Sequence, residues 1–557
     1  MPDHCHLMKD NYKPYFILLF VLALVVNFAG INNQFFTDDP GLYASISKNL
    51  LYLKSFFELF TYNQDWLDKP HFPFWMVLLS FKIFGISVWA YRLPALLFFL
   101  LSLWYTWLFS KRYYEERAAW IAIIIVATSQ HVLMLNTDVR AEPYLMALVI
   151  GSIYHISCLH ERYALTDLLL AAVLTACAIM TKGVFVIVAI YGALFGQLIL
   201  TKEFREIIRP KWLFLILLTL LSTLPEFYAL YIQFDLHPEK TVFNRHNVSG
   251  IKWFLWDSQF GRFVNNGPIS QKKSGDLIFY LHTLLWAFAP WCILFYYAVY
   301  KNIKKIWFKK PLVEYYTISG GVLLLILFSL SRFQLPFYTN IIFPLFAIIT
   351  APFCCKPLNR FGTLLRQISL YIYAGAFVII TLLINYFSKP DKFIFFAIDC
   401  IVLAIAAFII LPKIDKRHLK AFFVACIAVL FANFYMNTVF YHTMADYNGQ
   451  IKAAKYVNQD SFNGYQLYSL KFENNIFQFY SKKPIDYIPL DSFKTFNPPP
   501  HSIFYARKLS IDILKQQHAD FKVLNTFPNY PEENILPKFI NKATRDKVLD
   551  SVYLITK

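Results

Sequence analysis

Residues 14–44 read PYFILLFVLALVVNFAGINNQFFTDDPGLYA. Eighteen residues from Pro14 to Ile31 carry no charge, close to the ~20 apolar residues that cross a bilayer as a helix. Two adjacent acids follow at once, then a run with Leu, Ile and Phe at helical spacing. The stretch lacks a small-residue cleavage site, so it reads as a first, uncleaved membrane span. The rest of the chain repeats its chemistry. Of 557 residues 57% are hydrophobic and 16% charged, against about 25% charge in soluble domains. Mean hydropathy is +0.44.

Apolar runs recur to about residue 440 and then stop, which divides the chain into a membrane domain, 1–440, and a soluble α/β tail, 441–557. Thirteen spans are expected, at 14–31, 91–110, 118–136, 143–160, 166–181, 184–200, 212–232, 277–299, 314–331, 336–352, 366–387, 391–411 and 419–439. Segment 71–86 is apolar but short, and holds Pro73 and Lys82. If it only lies at the interface, the six basic clusters between Lys111 and Lys420 fall on the side of Lys9 and Lys13, as the positive-inside rule asks. The formal charge of +18 is then cytoplasmic-loop and headgroup charge in a multi-pass cytoplasmic (inner) membrane protein, with no nucleic-acid module. The eight cysteines, Cys5 among them, avoid the tail and show no zinc-finger spacing, so free thiols are expected.

This threading places loops 32–90 and 233–276 and the tail outside the cytoplasm. Stretches 41–53 and 55–62 of the first loop read as helices lying on the outer leaflet. In the tail, 450–457, 475–480 and 510–517 read as helical, and 465–470, 502–506, 521–525 and 548–555 as extended.

The chemistry concentrates in the outward turns. Asp38 and Asp39 either cap a helix or supply a proton-accepting carboxylate at the membrane face. Asp68-Lys69-Pro70 offers an ammonium to a phosphate at headgroup level. Asp138, Arg140 and Glu142 crowd one hairpin, and Lys182 stands on the side that disfavours lysine. Arg332 and Tyr338 occupy another outward turn. Three cations, Lys69, Lys182 and Arg332, thus face several acids, a set suited to a phosphate-linked substrate. A divalent metal is possible, with Asp235, His237, Glu239 and His246 as candidate ligands, although their spacing fits no standard site.

The ordered series Asp38-Asp39-x-x-x-Tyr43-Ala44, Asp68-Lys69-Pro70, Arg140-x-Glu142, Thr181-Lys182-Gly183 and Ser331-Arg332…Pro336-x-Tyr338 resembles the membrane glycosyltransferases of the protein O-mannosyltransferase and aminoarabinose (lipid A) transferase type, with the GT-C fold. The resemblance implies transfer of a sugar from a polyprenyl-phosphate carrier to an extracytoplasmic acceptor: lipid A, a protein or another glycan. It also implies in-line displacement with inversion. Asp38 is then the base or acceptor-positioning carboxylate, Lys69 the phosphate contact and Glu142 the second acid. His71 departs from the second proline common in relatives. Two other classes fit the span count: a lipid-linked-glycan ligase or polymerase, and a transporter or flippase, the latter for Glu226 and Asp399 within spans.

Overall fold

The computed structural model describes residues 12–272, 274–391, 393–470, 474–531 and 535–557. Cys5 and Lys9 lie outside them. The first helices are α1 (Lys13–Ala29), α2 (Asp38–Tyr52), α3 (Phe72–Phe84), α4 (Val88–Tyr113), α5 (Glu116–Ala127), α6 (Gln130–Leu135), α7 (Glu142–Glu161), α8 (Leu165–Lys182) and α9 (Ile187–Leu200).

Among the described residues, eight helices have the length and apolarity to cross a membrane, and α1, α3, Val184–Leu200 and Tyr316–Leu330 are shorter apolar helices. Thirteen unbroken spans are not seen. The expected span 118–136 breaks at Thr128–Ser129 into α5 and α6, and 277–299 breaks around the cis Ala289–Pro290 peptide into Phe279–Ala287 and Cys292–Trp307. The first break turns the main-chain N–H of Gln130 onto Ala289 O at 3.0 Å, so the two interruptions satisfy each other's backbone.

Contacts between loops sort them onto two ends of the bundle. At one end Lys13 meets Glu116 at 3.0 Å, Arg112 meets Glu161 at 2.6 Å, and His160 meets Glu203 at 2.9 Å. At the other, Gln233 donates to Leu59 O and Arg92 donates to Ile31 O, both at 2.9 Å. Both flanks of α3 belong to this second end: His71 is held by Glu226, and just past α3 the Tyr91 hydroxyl donates to Val139 O at 2.8 Å. Thirteen residues rise about 20 Å, short of the ~30 Å hydrocarbon core.

Two expectations for the first loop fail. Residues 55–62 form no helix; Phe60–Thr61 (β1) pairs antiparallel with Gln64–Asp65 (β2). The aromatics dock individually instead, Phe56 stacking on Trp75 at 5.0 Å and Phe57 edge-on to Tyr228 at 5.1 Å. Tertiary packing outweighs the local period. Nor does α2 simply lie on a leaflet. Ala44, Ser45, Ile46, Ser47 and Lys48 are buried, and the cover is the tail.

The tail is a five-stranded sheet in the order β4-β3-β5-β7-β6: β3 Gln466–Ser469, β4 Ile485–Tyr487, β5 Ser502–Arg507, β6 Lys522–Asn529 and β7 Asp550–Thr556. β3 runs parallel to β4 and β5, and β7 antiparallel to β5 and β6. Central β5 is buried on both faces, hence its continuous Ile-Phe-Tyr-Ala run. The helical and extended segments expected in the tail are present, while β4, a three-residue edge strand, has no readable alternation.

Candidate functional site

The outward turns meet at the end of the bundle that the tail covers. Helix α8 ends at Lys182 because Gly183 takes φ +105°, a conformation that penalises a Cβ, and any Cβ there would collide with the Gln259 side chain. The lysine is thereby turned into the protein. Its ammonium pairs with Glu142, the first residue of α7. Glu142 is fully buried and Lys182 nearly so. Charges so placed persist only when paired. The Lys182 ammonium also lies over the Tyr338 ring, 4.1 Å from its centroid.

Asp39 pairs with Arg140, whose Nη2 donates to Asp138 Oδ2 at 2.9 Å and whose guanidinium covers Phe337 at 4.6 Å. Burial works against the Arg140 charge, but Asp138, Asp39 and Glu142 overcome it and hold the group above its ordinary value. Thr37, ahead of α2, donates to Asp138 and ties the two turns together. Burial likewise raises the Tyr43 phenol well above its usual range, with Lys69, Glu142, Asp39 and Arg140 the charges that act on it. Its ring stacks on Phe74 of α3 at 5.2 Å.

Lys69 binds Asp68 Oδ2 at 2.5 Å, and the other oxygen of Asp68 accepts from Arg262. The turn is anchored from below. The His71 main-chain N–H donates to Glu226 Oε2 at 3.0 Å, and the imidazole Nδ1 lies 3.0 Å from Oε1. Glu226, a membrane-embedded acid in sequence terms, therefore holds the start of α3. Asp399 is bonded to the Thr438 hydroxyl at 3.2 Å.

Two adjoining clefts share Lys182, Ser258, Gln259 and Arg262 in their walls. Lys69 lines the first and Tyr338 the second. Three buried polar atoms here have no hydrogen-bond partner among the described residues: Glu142 Oε2, Arg262 Nε and Trp253 Nε1. A buried polar atom of this kind calls for a partner such as a water, an ion or a ligand.

The structure thus brings Lys69, Lys182, Glu142, Asp39, Arg140, Asp138, Tyr43, Asp68 and Tyr338 together, and separates two expected members. Arg332 is exposed and absent from the residues lining either cleft; its main chain is fixed between Phe263 O and the N–H of Gly275. The third cation is Arg262. Its signal was the run Gly250–Phe263, whose Trp253, Phe254, Ser258 and Arg262 turn to one side. Asp38 turns away from the clefts. Its Oδ1 accepts from the N–H groups of Asn475 and Ile476 at 3.1 and 3.3 Å, and its Oδ2 from Asn475 Nδ2 at 2.5 Å. The capping alternative therefore describes Asp38, although the helix capped is in the tail.

No group of three or more His, Cys, Asp or Glu is arranged to hold a metal among the described residues. Of the candidate ligands of the long loop, Asp235 accepts from Ser249 Oγ and the N–H of Gly250, His237 pairs with Glu239 at 2.9 Å, and His246 Nδ1 lies 3.1 Å from Thr241 Oγ1 and 3.2 Å from Glu239 O.

Comparison with known proteins agrees with this architecture. A family model described as dolichyl-phosphate-mannose-protein mannosyltransferase matches residues 68–228, a stretch that holds Lys69, Glu142 and Lys182. An uncharacterized protein of Aquifex aeolicus (strain VF5) is 23% identical over 506 residues, 89% of this chain and 91% of its own. ArnT from Cupriavidus metallidurans, in a crystal structure bound to undecaprenyl phosphate, superposes with a TM-score of 0.71 at 15% identity, over 97% of this chain and 98% of that one. The apo ArnT structure gives the same values. At such identity the likeness establishes a common fold.

Proposed function

We propose that this chain, a multi-pass membrane protein with the fold of the GT-C glycosyltransferases, transfers a sugar from a polyprenyl-phosphate carrier to an acceptor outside the cytoplasm. One observation carries the reading: three cations from distant parts of the chain, Lys69, Lys182 and Arg262, wall one cleft, and the Asp39–Arg140 pair adjoins it through Phe337, whose ring lies under both Arg140 and Lys182. Asp68 is shared by Lys69 and Arg262, and Glu142 is taken by Lys182, so three cations meet two carboxylates in these pairs and a phosphate balances the excess positive charge.

Each part then has a task. The acceptor hydroxyl oxygen attacks the anomeric carbon, the bond from that carbon to the phosphate oxygen breaks, and its electron pair leaves with the carrier phosphate. Lys69, Lys182 and Arg262 stabilise that charge in a partly desolvated cleft, where it is worth more than in water. Asp39 takes the hydroxyl proton. Arg140 orients Asp39 and is held by Asp138, while Glu142 keeps Lys182 charged and in place. Back-side attack from the Asp39 side gives inversion. No nucleotide is required, because the activation resides in the sugar–phosphate ester.

The domain division at about residue 440 and the extracytoplasmic placement of the cleft belong to the same proposal. They are supported by the basic loops gathering at the far end of the bundle. Reporter fusions at Lys111 and at the C-terminus are expected on opposite sides of the membrane. Mass spectrometry of glycans and lipids from a deletion strain is expected to show one modification lost, restored by the wild-type gene and not by D39N. Restoration by D39N would remove Asp39 from the proton-accepting role.

A further inference from the structure

Lys48 sits on α2 with 4% of its surface exposed, and no acid among the described residues is paired with it. Its ammonium donates instead to three main-chain carbonyls: Gln478 O at 3.0 Å, Phe479 O at 3.2 Å and Ser481 O at 2.5 Å. These lie at the C-terminal end of the tail helix Asn475–Tyr480. The N-terminal end of the same helix is capped by Asp38, ten residues earlier on α2. A negative group thus meets the helix's free N–H groups and a positive group its free carbonyls, the arrangement that the helix dipole favours. Between the two ends the backbones nearly touch. A Cβ on Gly41 would lie 3.0 Å from Ile476 N, and Ser45 Oγ donates to Asn475 O at 3.0 Å.

The chain leading into α2 is gripped as well. The Phe35 N–H donates to Tyr480 Oη at 3.2 Å, Phe35 O accepts from Asn448 Nδ2 at 3.3 Å, and the Phe36 ring stacks on Tyr530 at 4.9 Å. These partners are more than 400 residues away in sequence. Successive helical residues point about 100° apart. With Asp38 fixed on the tail, Asp39 is therefore turned to Arg140.

We propose that Lys48 and Asp38 are positioning residues, which clamp the tail helix Asn475–Tyr480 at both ends and through it hold Asp39 in register with Arg140. The soluble tail is then part of the transfer machinery, although it contributes no group to the clefts described. The inference rests on the transferase reading for its functional half alone. Displacing a reacting group by about 1 Å costs up to about a hundredfold in rate.

The test uses full-length protein in detergent, with K48M, K48R, D38N and D39N. Hydrogen exchange of residues 38–52 reads the clamp, and complementation of the deletion strain together with donor-concentration dependence reads transfer. K48M is expected to speed exchange in 38–52 and to lower maximal transfer about tenfold to a hundredfold, leaving the donor concentration at half-maximal rate within about twofold. K48R, which keeps the charge, is expected to recover most of both. D38N keeps a carbonyl oxygen for the two main-chain N–H groups and is expected to show a smaller version of the same pattern. D39N is expected to lose transfer without faster exchange. Unchanged exchange in K48M overturns the clamp, and so does faster exchange with undiminished transfer. Should wild type transfer no sugar at all, the transferase reading falls, while the exchange result still decides the clamp.

Discussion

The two faces of α2 differ in how completely their polar groups are matched. On the tail side, Asp38 and Lys48 meet helix-end N–H and carbonyl groups, a Cβ at Gly41 would lie only 3.0 Å from Ile476, and one buried atom, Asn475 Oδ1, lacks a partner among the described residues. On the cleft side, Asp39 is half exposed, and Glu142 Oε2, Arg262 Nε and Trp253 Nε1 are buried without partners among the described residues. A matched interface of this kind holds elements in place, whereas unmatched polar atoms around a concave space lower stability and persist where a ligand completes them. Neighbouring acids of the same type thus meet different partners, Asp38 the tail helix and Asp39 the Arg140 guanidinium, set by which side of one helical turn each occupies.

The sharpest way to break that contrast is to remove each carboxylate's charge in turn. D39N is expected to lower transfer by about 10²–10⁴, the usual loss for a general base, while D38N stays well inside that range. Turnover of the purified variants with a lipid-linked donor decides, and the reverse order would interchange the faces. Next comes the buried pair. K182M leaves Glu142 charged and buried, a change that costs about 3–5 kcal/mol, and the double variant E142Q/K182M is expected to melt above K182M in detergent. A third comparison sets Arg262 against Arg332. Losing one charge-assisted contact of about 1.5–3 kcal/mol makes R262M bind polyprenyl phosphate roughly tenfold to a hundredfold more weakly, and R332M is expected within twofold of wild type. Equal effects would return Arg332 to the cation set.

The smallest effect is a pH dependence. Burial lowers the Lys48 ammonium from its ordinary 10.5 to about 8. Because the folded value is the lower one, the unfolded chain binds more protons between about pH 8 and 10.5, so the stability cost of burying Lys48 is full below 8 and is relieved as pH rises through that window. Protease release of the tail is expected to slow between pH 7.5 and 9.5 in wild type relative to K48M. A steeper rise in wild type than in K48M would contradict it.

How far the sequence could be read follows from the range of the forces involved. The apolar runs reveal membrane helices because burial in lipid is decided residue by residue within one segment. Tail helices and strands were legible for the same reason, their periods being local. The motif series named Asp38, Asp39, Lys69, Glu142, Lys182 and Arg332 as chemistry-bearing, since charges beside apolar spans are costly wherever they stand, but it could not separate Asp38 and Arg332 from the rest. Sequence spacing did not reveal that Asp38 and Lys48 belong to the tail, because their partners lie more than 400 residues away. Arg262 stood in the helical stretch Gly250–Phe263, whose one-sided spacing is a weaker signal than a motif, and β4 was too short to alternate.

Composition and periodicity by themselves determined the membrane class, the soluble tail and the set of charged turns, each of which depends on the side chain and its immediate neighbours. The tertiary structure alone decided which third cation walls the cleft, which of two adjacent acids pairs with Arg140, and that the tail grips the first loop. Those outcomes depend on segments that meet only after the helices have packed, where a rotation of about 100° along α2 separates the acid bound to the tail helix from the acid paired with Arg140.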